Sequence, residues 1–252
     1  MQLYNVQRLG GWNQHLVMIH GNSSSSQTFQ KILDSDLPVN MTAIDLPGHG
    51  KSPRSDNPSK DYSVKEVISC LREFILKLNA EIIIYGNSLG GHYAMELINE
   101  IPDSIDTIVI SGAPPVSKPP VLEEVYNLNE HMMAFFQEEL TEEQAKAAME
   151  AYMFNKQHLP ELVEGALNTD PKCRSVIAED LNKGVWSDQK AIVENSAVHV
   201  YYIHGLHDPA IKLDYVKSVK NIEKIYEIKR AGHYPQLENP KEVITAISEI
   251  LL

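Results

Sequence analysis

Cysteine is scarce in this sequence: two residues, Cys70 and Cys173, among 252. They sit far apart, with no C-x-x-C and no metal-type spacing to histidine, so neither a disulfide framework nor a zinc site has support. Two free thiols are expected, which suits a reducing compartment. Basic residues are also short: 22 Lys and Arg against 34 Asp and Glu give a formal net charge of −12 and a pI near 5.3. A surface this acidic repels phosphate backbones and anionic headgroups, so neither nucleic acid nor an anionic membrane is an expected partner. No apolar run approaches the roughly 18 residues needed to span a bilayer, and no membrane insertion is expected. The start, Met1-Gln2-Leu3-Tyr4-Asn5, has no basic segment leading into an apolar core. No signal peptide is therefore expected, and a cytoplasmic location is. There is no H-E-x-x-H, no G-x-G-x-x-G and no G-x-x-x-x-G-K-[ST], so neither a metal nor a nucleotide cofactor is expected.

What the chain does have is an alternation. Short, continuous apolar runs at Leu16–Ile19, Met41–Ile44, Glu81–Tyr85, Thr107–Ile110, Val198–Ile203 and Lys224–Ile228 read as strands covered on both faces. Between them, helical patterns run over Val64–Leu78, Ser88–Glu100, Leu213–Val219 and Pro240–Leu252. Strand and helix in alternation predict an α/β fold: a mainly parallel sheet with helices on both faces. Residues 2–15 are expected to add one or two antiparallel strands, with a turn at Gly10-Gly11.

The rhythm stops between Pro114 and Ser196, where no strand pattern occurs. Residues 1–113 and 197–252 are therefore read as the sheet-bearing domain, and residues 114–196 as an inserted helical lid. Helices are predicted over Glu123–Glu139, Glu142–Phe154 and Lys172–Lys183. Thr141 followed three residues later by Gln144 forms a capping box for the second. The insertion carries Met132, Met133, Phe135, Phe136, Met149, Tyr152, Met153 and Phe154. Helix packing onto the sheet accounts for most of these; flexible apolar side chains above a reactive site also suit an acyl-chain pocket.

The segment Gly86-Asn87-Ser88-Leu89-Gly90 lies between a strand pattern and a helix pattern. By chance alone G-x-S-x-G occurs in about one chain in fifteen of this length, so the motif needs its context. Here the order strand, G-x-S-x-G, helix is that of a sharp turn that holds a serine hydroxyl exposed at the top of a sheet. A serine needs a base, and the base needs an orienting acid. His233, in Ala231-Gly232-His233-Tyr234-Pro235, follows the last strand pattern on the same sheet edge. Asp208 follows the penultimate one, and Ser111-Gly112-Ala113, the alternative place for an acid, holds no carboxylate. Asp before Pro209 also suits a turn cap. His207 is read as a pocket or surface residue. The backbone N–H of Leu89 opens the helix and is a natural oxyanion donor. The small-residue loop His20-Gly21-Asn22-Ser23-Ser24-Ser25-Ser26 offers a second, the N–H of Asn22, with Ser23 next in line. His20 is read as a hydrogen-bonding support beneath that loop.

His20-Gly21, Asp45-Leu46-Pro47-Gly48-His49-Gly50-Lys51-Ser52, Gly86–His92 and Ala231-Gly232-His233 together resemble the α/β-hydrolase superfamily in order and spacing, over nearly the whole chain. The nucleophile–acid–base order Ser88, Asp208, His233 is also that superfamily's. In this frame Asp45–Ser52 is a structural loop, with His49 at most lining the site entrance. A narrower resemblance, carried by His20–Ser25, Asp45–Ser52, Ser88–His92 and Ser111–Val116, is to the subgroup that includes N-acyl-homoserine lactone hydrolases. It implies a lid tyrosine that touches the substrate, here Tyr152; Phe136 and Met133, from the flexible apolar set of the insertion, are read as further lining residues, and a small-molecule ester or lactone is the expected substrate. Those lactonases use Glu as the acid where this chain offers Asp208. The expected activity is ester or lactone hydrolysis through an acyl-enzyme on Ser88, without metal or cofactor. The same three residues also serve carbon–carbon bond hydrolases, thioesterases and perhydrolases, and slow-turnover small-molecule receptors share the fold.

Overall fold

In the computed structural model, which describes residues 1–252, seven strands form one sheet. They are β1 (Asn5–Arg8), β2 (Gln14–Ile19), β3 (Asn40–Ile44), β4 (Glu81–Asn87), β5 (Ile105–Ser111), β6 (His199–Gly205) and β7 (Lys224–Ile228), in the order β1-β3-β2-β4-β5-β6-β7. All neighbours are parallel except β1, which runs antiparallel to β3. The apolar runs are continuous because both faces are covered. Side chains alternate along each strand, so Val17, Ile19, Ile84, Ile108, Ile110, Val200 and Tyr202 enter one core. Leu16, Met18, Met41, Ile83, Tyr85, Val109 and Ile203 enter the other.

The first core is closed by the helices Val64–Leu76, Leu89–Glu100 and Gln189–Asn195. The first of these buries Val64, Val67, Ile68, Leu71 and Ile75, spaced for one helical face, and Ser63 caps it by accepting from Glu66 N–H. Each such aliphatic side chain contributes about 1.5–3 kcal/mol of burial. The second core is closed by Phe29–Leu33 and by Val243, Ala246 and Ile247 of the last helix, Pro240–Ile250. No helix is long and apolar enough to cross a membrane.

Residues 2–15 supply one antiparallel strand, within the one or two expected, while Gln14 and His15 lengthen β2. The chain passes over the start of β3, where Gly10 and Gly11 N–H both donate to Asn40 Oδ1 at 2.9 and 3.2 Å. β1 therefore pairs with β3 on the sheet edge. The predicted helix Glu123–Glu139 is broken into Leu122–Val125 and Glu130–Ala134. Tyr126 leaves the first to bridge Ile211, and Asn129 restarts the second by accepting from Met132 N–H. The capping box of Thr141 and Gln144 is formed in full, opening the helix Glu142–Ala151. Leu159–Asn168 and Pro171–Asn182 complete the helices near it.

The turn after β4 places the serine. Ser88 has φ 52° and ψ −122°, a left-handed conformation costing about 1–3 kcal/mol for a residue with a side chain. The strain persists because the strand and helix on either side fix the turn. Its glycines are required by closeness: a Cβ on Gly90 would lie 2.1 Å from the Ile19 carbonyl oxygen, and one on Gly86 2.4 Å from the Gly90 oxygen. Gly90→Ala is expected to lower stability in urea denaturation by about 2–3 kcal/mol. Gly165→Ala is expected to do the opposite, adding about 0.5–1 kcal/mol. Gly165 lies inside a helix, where a Cβ would meet Ser23 and Ser24 only at 3.8 Å.

Candidate active site

At the carboxyl ends of β2, β4 and β7, Asn22, Ser88, Leu89 and His233 line one cavity of about 360 Å³. Ser88 N–H donates to the Ser111 carbonyl of β5 at 2.7 Å, which locks the turn against the next strand. The carbonyl of Ser88 in turn accepts from Gly91 and His92 N–H, so the helix starts at once. Leu89 N–H then belongs to the first turn, where an α-helix has no acceptor of its own to offer. The loop after β2 comes against this turn: a Cβ on Gly21 would sit 2.9 Å from the Ser88 Cβ. That approach is what brings Asn22 to the cavity wall. The Asn22 side chain is committed elsewhere, Nδ2 donating to the Phe135 carbonyl at 2.7 Å.

His233 sits after β7, and its Nδ1 lies 2.8 Å from Asp208 Oδ2. The Asp208 carboxylate is 2% exposed, so this pair is shielded from water. The other oxygen, Oδ1, accepts from Ala210 N–H at 2.9 Å. Asp208 therefore caps its own turn and holds His233 at the same time. Three further contacts fix the histidine. Its N–H donates to the Tyr152 carbonyl at 2.8 Å, its carbonyl accepts from Asn87 Nδ2 at 3.0 Å, and the Tyr152 ring packs 5.6 Å away. Burial pulls the His233 pKa down, but the Asp208 charge and hydrogen bond outweigh it and leave it above the ordinary 6.5.

The sequence profile of the Alpha/beta hydrolase family matches residues 16–246. The chain belongs to this family. Among solved structures it is similar to the N-acyl homoserine lactonase AidH complexed with N-hexanoyl homoserine lactone, with TM-score 0.90 and 26% identity over 99% of this chain and 93% of that one. Among curated proteins it is 24% identical over 241 residues to 2-succinyl-6-hydroxy-2,4-cyclohexadiene-1-carboxylate synthase of Escherichia coli, covering 94% of this chain and 93% of that one. An uncharacterized protein of Mycobacterium tuberculosis is 33% identical over 114 residues. That match takes in 44% of this chain and 32% of the mycobacterial one, so the chain matches about a third of that relative's length.

In this α/β-hydrolase all three expected lining residues, Met133, Phe136 and Tyr152, reach the cavity, Met133 at its mouth with 53% exposure. Met132 and Phe135 join them, whereas Met149 and Met153 are buried in the main core. Phe154 lies on the surface and stacks on the exposed His207 at 4.2 Å. His20 supports its loop: Nδ1 is 2.7 Å from the Gly21 carbonyl and Nε2 accepts from Leu46 N–H at 3.0 Å. His49 does not line the site; it is 2% exposed beneath the Asp45–Ser52 loop, with Nδ1 on the Pro47 carbonyl. Asp45 holds that loop by accepting from Ser26 and Lys51 N–H.

Three groups around the site were not anticipated. Arg174, 2% exposed, gives its guanidinium to the carbonyls of Gln137, Glu138 and Ala166 and to Ser23 Oγ. It ties the Asn22 loop to the helices above. Glu238 accepts from Phe154 and Asn155 N–H on one oxygen and from Gly232 and Tyr234 N–H on the other. It clamps the segment after Ala151 to the loop that carries His233. Burial raises the Glu238 carboxyl pKa, and those four N–H groups oppose the rise. His92 lines the cavity one helical turn after Ser88, a spacing that puts both on one face. That i, i+4 relation was the signal available for it.

Burial, with a smaller opposing contribution from its bond to Gln189, lowers the His92 pKa to about 4. In an NMR titration of the imidazole resonances His92 is expected to stay neutral down to about pH 4, while His233 takes its proton above the ordinary histidine value of about 6.5. Protonation of His92 near that ordinary value would refute the closed environment described for it.

Proposed function

We propose that this α/β-hydrolase cleaves carboxylic esters and lactones of small acyl-bearing molecules through an acyl-enzyme on Ser88. The observation that carries the reading is the meeting, on one largely apolar cavity, of a strained serine at the head of a helix and a buried histidine held by a carboxylate. In this mechanism His233 Nε2 takes the Ser88 proton as Oγ attacks the carbonyl. Asp208 holds the tautomer that makes Nε2 the free nitrogen, and stabilises the imidazolium that forms. The N–H groups of Leu89 and Asn22 hold the oxyanion. His233 passes its proton to the leaving alkoxide, then activates water to release the acid. No step calls for a metal or cofactor.

Residues 114–196 act as a lid whose Met133, Phe136 and Tyr152 border the acyl pocket. The likeness to an N-acyl homoserine lactonase supports a lactone with an N-acyl chain as the substrate. Two buried, unpaired cysteines fit a reducing, cytoplasmic setting. A carbon–carbon bond reaction is the second reading, favoured by the full-length similarity to the Escherichia coli synthase.

Proton release in a pH-stat, on N-acyl-homoserine lactones of graded chain length beside a short simple ester, tests the proposal. Ser88→Ala is expected to lower kcat by about 10⁴-fold or more while the thermal transition stays in place. Turnover near wild type in that variant would overturn the assignment of Ser88. The pH profile has a defined sign. Only neutral His233 accepts a proton, and its pKa is raised, so kcat/KM is expected to fall as pH drops through a value above about 6.5. Asp208→Asn removes the raising charge: the acid limb is expected to move to lower pH, and kcat to drop by about 10³–10⁴-fold. An unmoved limb would show that Asp208 does not set the base.

A further inference from the structure

The polar groups of the cavity are not free to donate or accept at will; a buried chain of hydrogen bonds assigns their direction. The chain begins at Glu96, 5% exposed inside the helix Leu89–Glu100. Its Oε1 accepts from Ser187 N–H and from Gln189 Nε2, both at 3.1 Å. Two N–H groups converge on that oxygen, so it is an acceptor, and Gln189, 2% exposed, must present its amide nitrogen there. Turning the amide over would set two oxygens against each other. The Gln189 carbonyl Oε1 therefore faces His92, whose Nδ1 lies 2.8 Å away and has to carry the hydrogen. His92 is neutral at ordinary pH because burial holds its pKa near 4. With Nδ1 protonated, Nε2 is an acceptor. It is 2.7 Å from the hydroxyl of Tyr126, which must donate to it.

Tyr126 has thereby given away its only hydrogen. Burial, with the nearby Asp208 charge, keeps the phenol protonated. No protein donor points back at its oxygen, which is left with lone pairs alone. The residue is held in place on both sides: its N–H donates to the Leu122 carbonyl, it bridges Ile211, and the next N–H, of Asn127, donates to the Ala210 carbonyl at 2.8 Å. Tyr126 and His92 line the same cavity as Ser88.

We infer that Tyr126 is a specificity-determining hydrogen-bond acceptor, fixed as such by the Glu96–Gln189–His92 relay, and that it selects acyl substrates bearing an N–H or O–H donor. An amide N–H near the scissile carbonyl is the simplest such group. A substrate with an ether or ester oxygen there sets lone pairs against lone pairs. The inference rests on the proposed hydrolase reading of the Ser88 cavity, and it is independent of how fast the chemistry runs.

The test is a matched pair of ligands: α-hexanoylamino-γ-butyrolactone and α-hexanoyloxy-γ-butyrolactone, which differ in one N–H against one oxygen. Their binding to the Ser88→Ala protein, read by calorimetry, is free of turnover. The amide is expected to bind about tenfold tighter, the worth of one buried hydrogen bond. Tyr126→Phe added to Ser88→Ala is expected to bring the ratio to about one by weakening the amide and leaving the ester analogue in place. Gln189→Leu in the same background frees His92 to carry its hydrogen on Nε2, and is expected to erode the ratio with Tyr126 still present. A ratio near one in Ser88→Ala, no binding of either ligand, or a ratio untouched by Tyr126→Phe would overturn the inference. So would a ratio that vanishes in Tyr152→Phe but survives Tyr126→Phe. Failure of the wild-type protein to hydrolyse any ester or lactone is a separate result: it overturns the hydrolase reading and leaves the binding ratio measurable.

Discussion

The site depends on how closely the backbone after β4 approaches that of β2. Gly90 and the Ile19 carbonyl leave no room for a side chain between them. This contact presses the start of the helix Leu89–Glu100 onto the end of β2, and everything near the serine follows from it. Ser88 is forced into the left-handed region, its hydroxyl is set at the sheet edge, and the loop from Gly21 to Ser23 is brought beside it. A strain of about 1–3 kcal/mol is small against the two cores that flank the turn. Ser23, in the loop brought beside the serine, shares it with φ 56°, so both walls of the approach carry a positive-φ residue.

Around that approach, buried or half-buried charge is managed in three different ways. Asp208 meets a histidine that becomes cationic only if it takes a proton. Arg174 meets no carboxylate, and its charge is spread over three carbonyls and a hydroxyl. Glu238 meets four backbone N–H groups. Such partners offset the desolvation of the charge, which would otherwise amount to several kcal/mol per ion. Arg174 and Glu238 share a further property: each joins the helical segment 114–196 to a loop of the sheet-bearing part, the Asn22 loop in one case and the His233 loop in the other. Loss of either therefore reaches Asn22 or His233 through backbone position.

The sheet was readable because its strands are short continuous apolar runs, which a covered parallel sheet demands, and Lys224–Ile228 falls where expected to the residue. The placement of Ser88, His233 and Asp208 at one end of the sheet was readable because each follows a strand on the same edge, and chain order alone places that edge. The helical segment was harder. Glu123–Glu139 has an unbroken helical pattern, yet Asn127 and Tyr126 find partners at Ala210 and Ile211, more than eighty positions later in the chain. No local signal reports a partner at that distance. The same holds for the contacts of Glu238 with Phe154 and Asn155 and of Arg174 with Ser23, which are remote in sequence. His49 was misplaced for a related reason: its motif is intact, but the loop folds its ring inward, away from the cavity.

The cavity itself combines two kinds of information that a fold match transmits unequally. Its apolar wall of Met, Phe and Leu side chains from residues 114–196 sets length and width. Such walls adapt readily, since methionine repacks at little cost and hydrophobic discrimination is worth only about 1–3 kcal/mol per methylene. Polar direction is less forgiving. Reversing Tyr126 from acceptor to donor requires His92 to change tautomer, Gln189 to turn its amide, and Glu96 to lose a partner, all in a buried place where each unpaired group costs about 1–3 kcal/mol. The cost of one reversal is thus shared by three residues and grows with each. A backbone that overlays closely on a known structure therefore transmits the place of Ser88 and its helix. Under the reading proposed here, the choice among ligands falls to the relay on the helix that Ser88 begins.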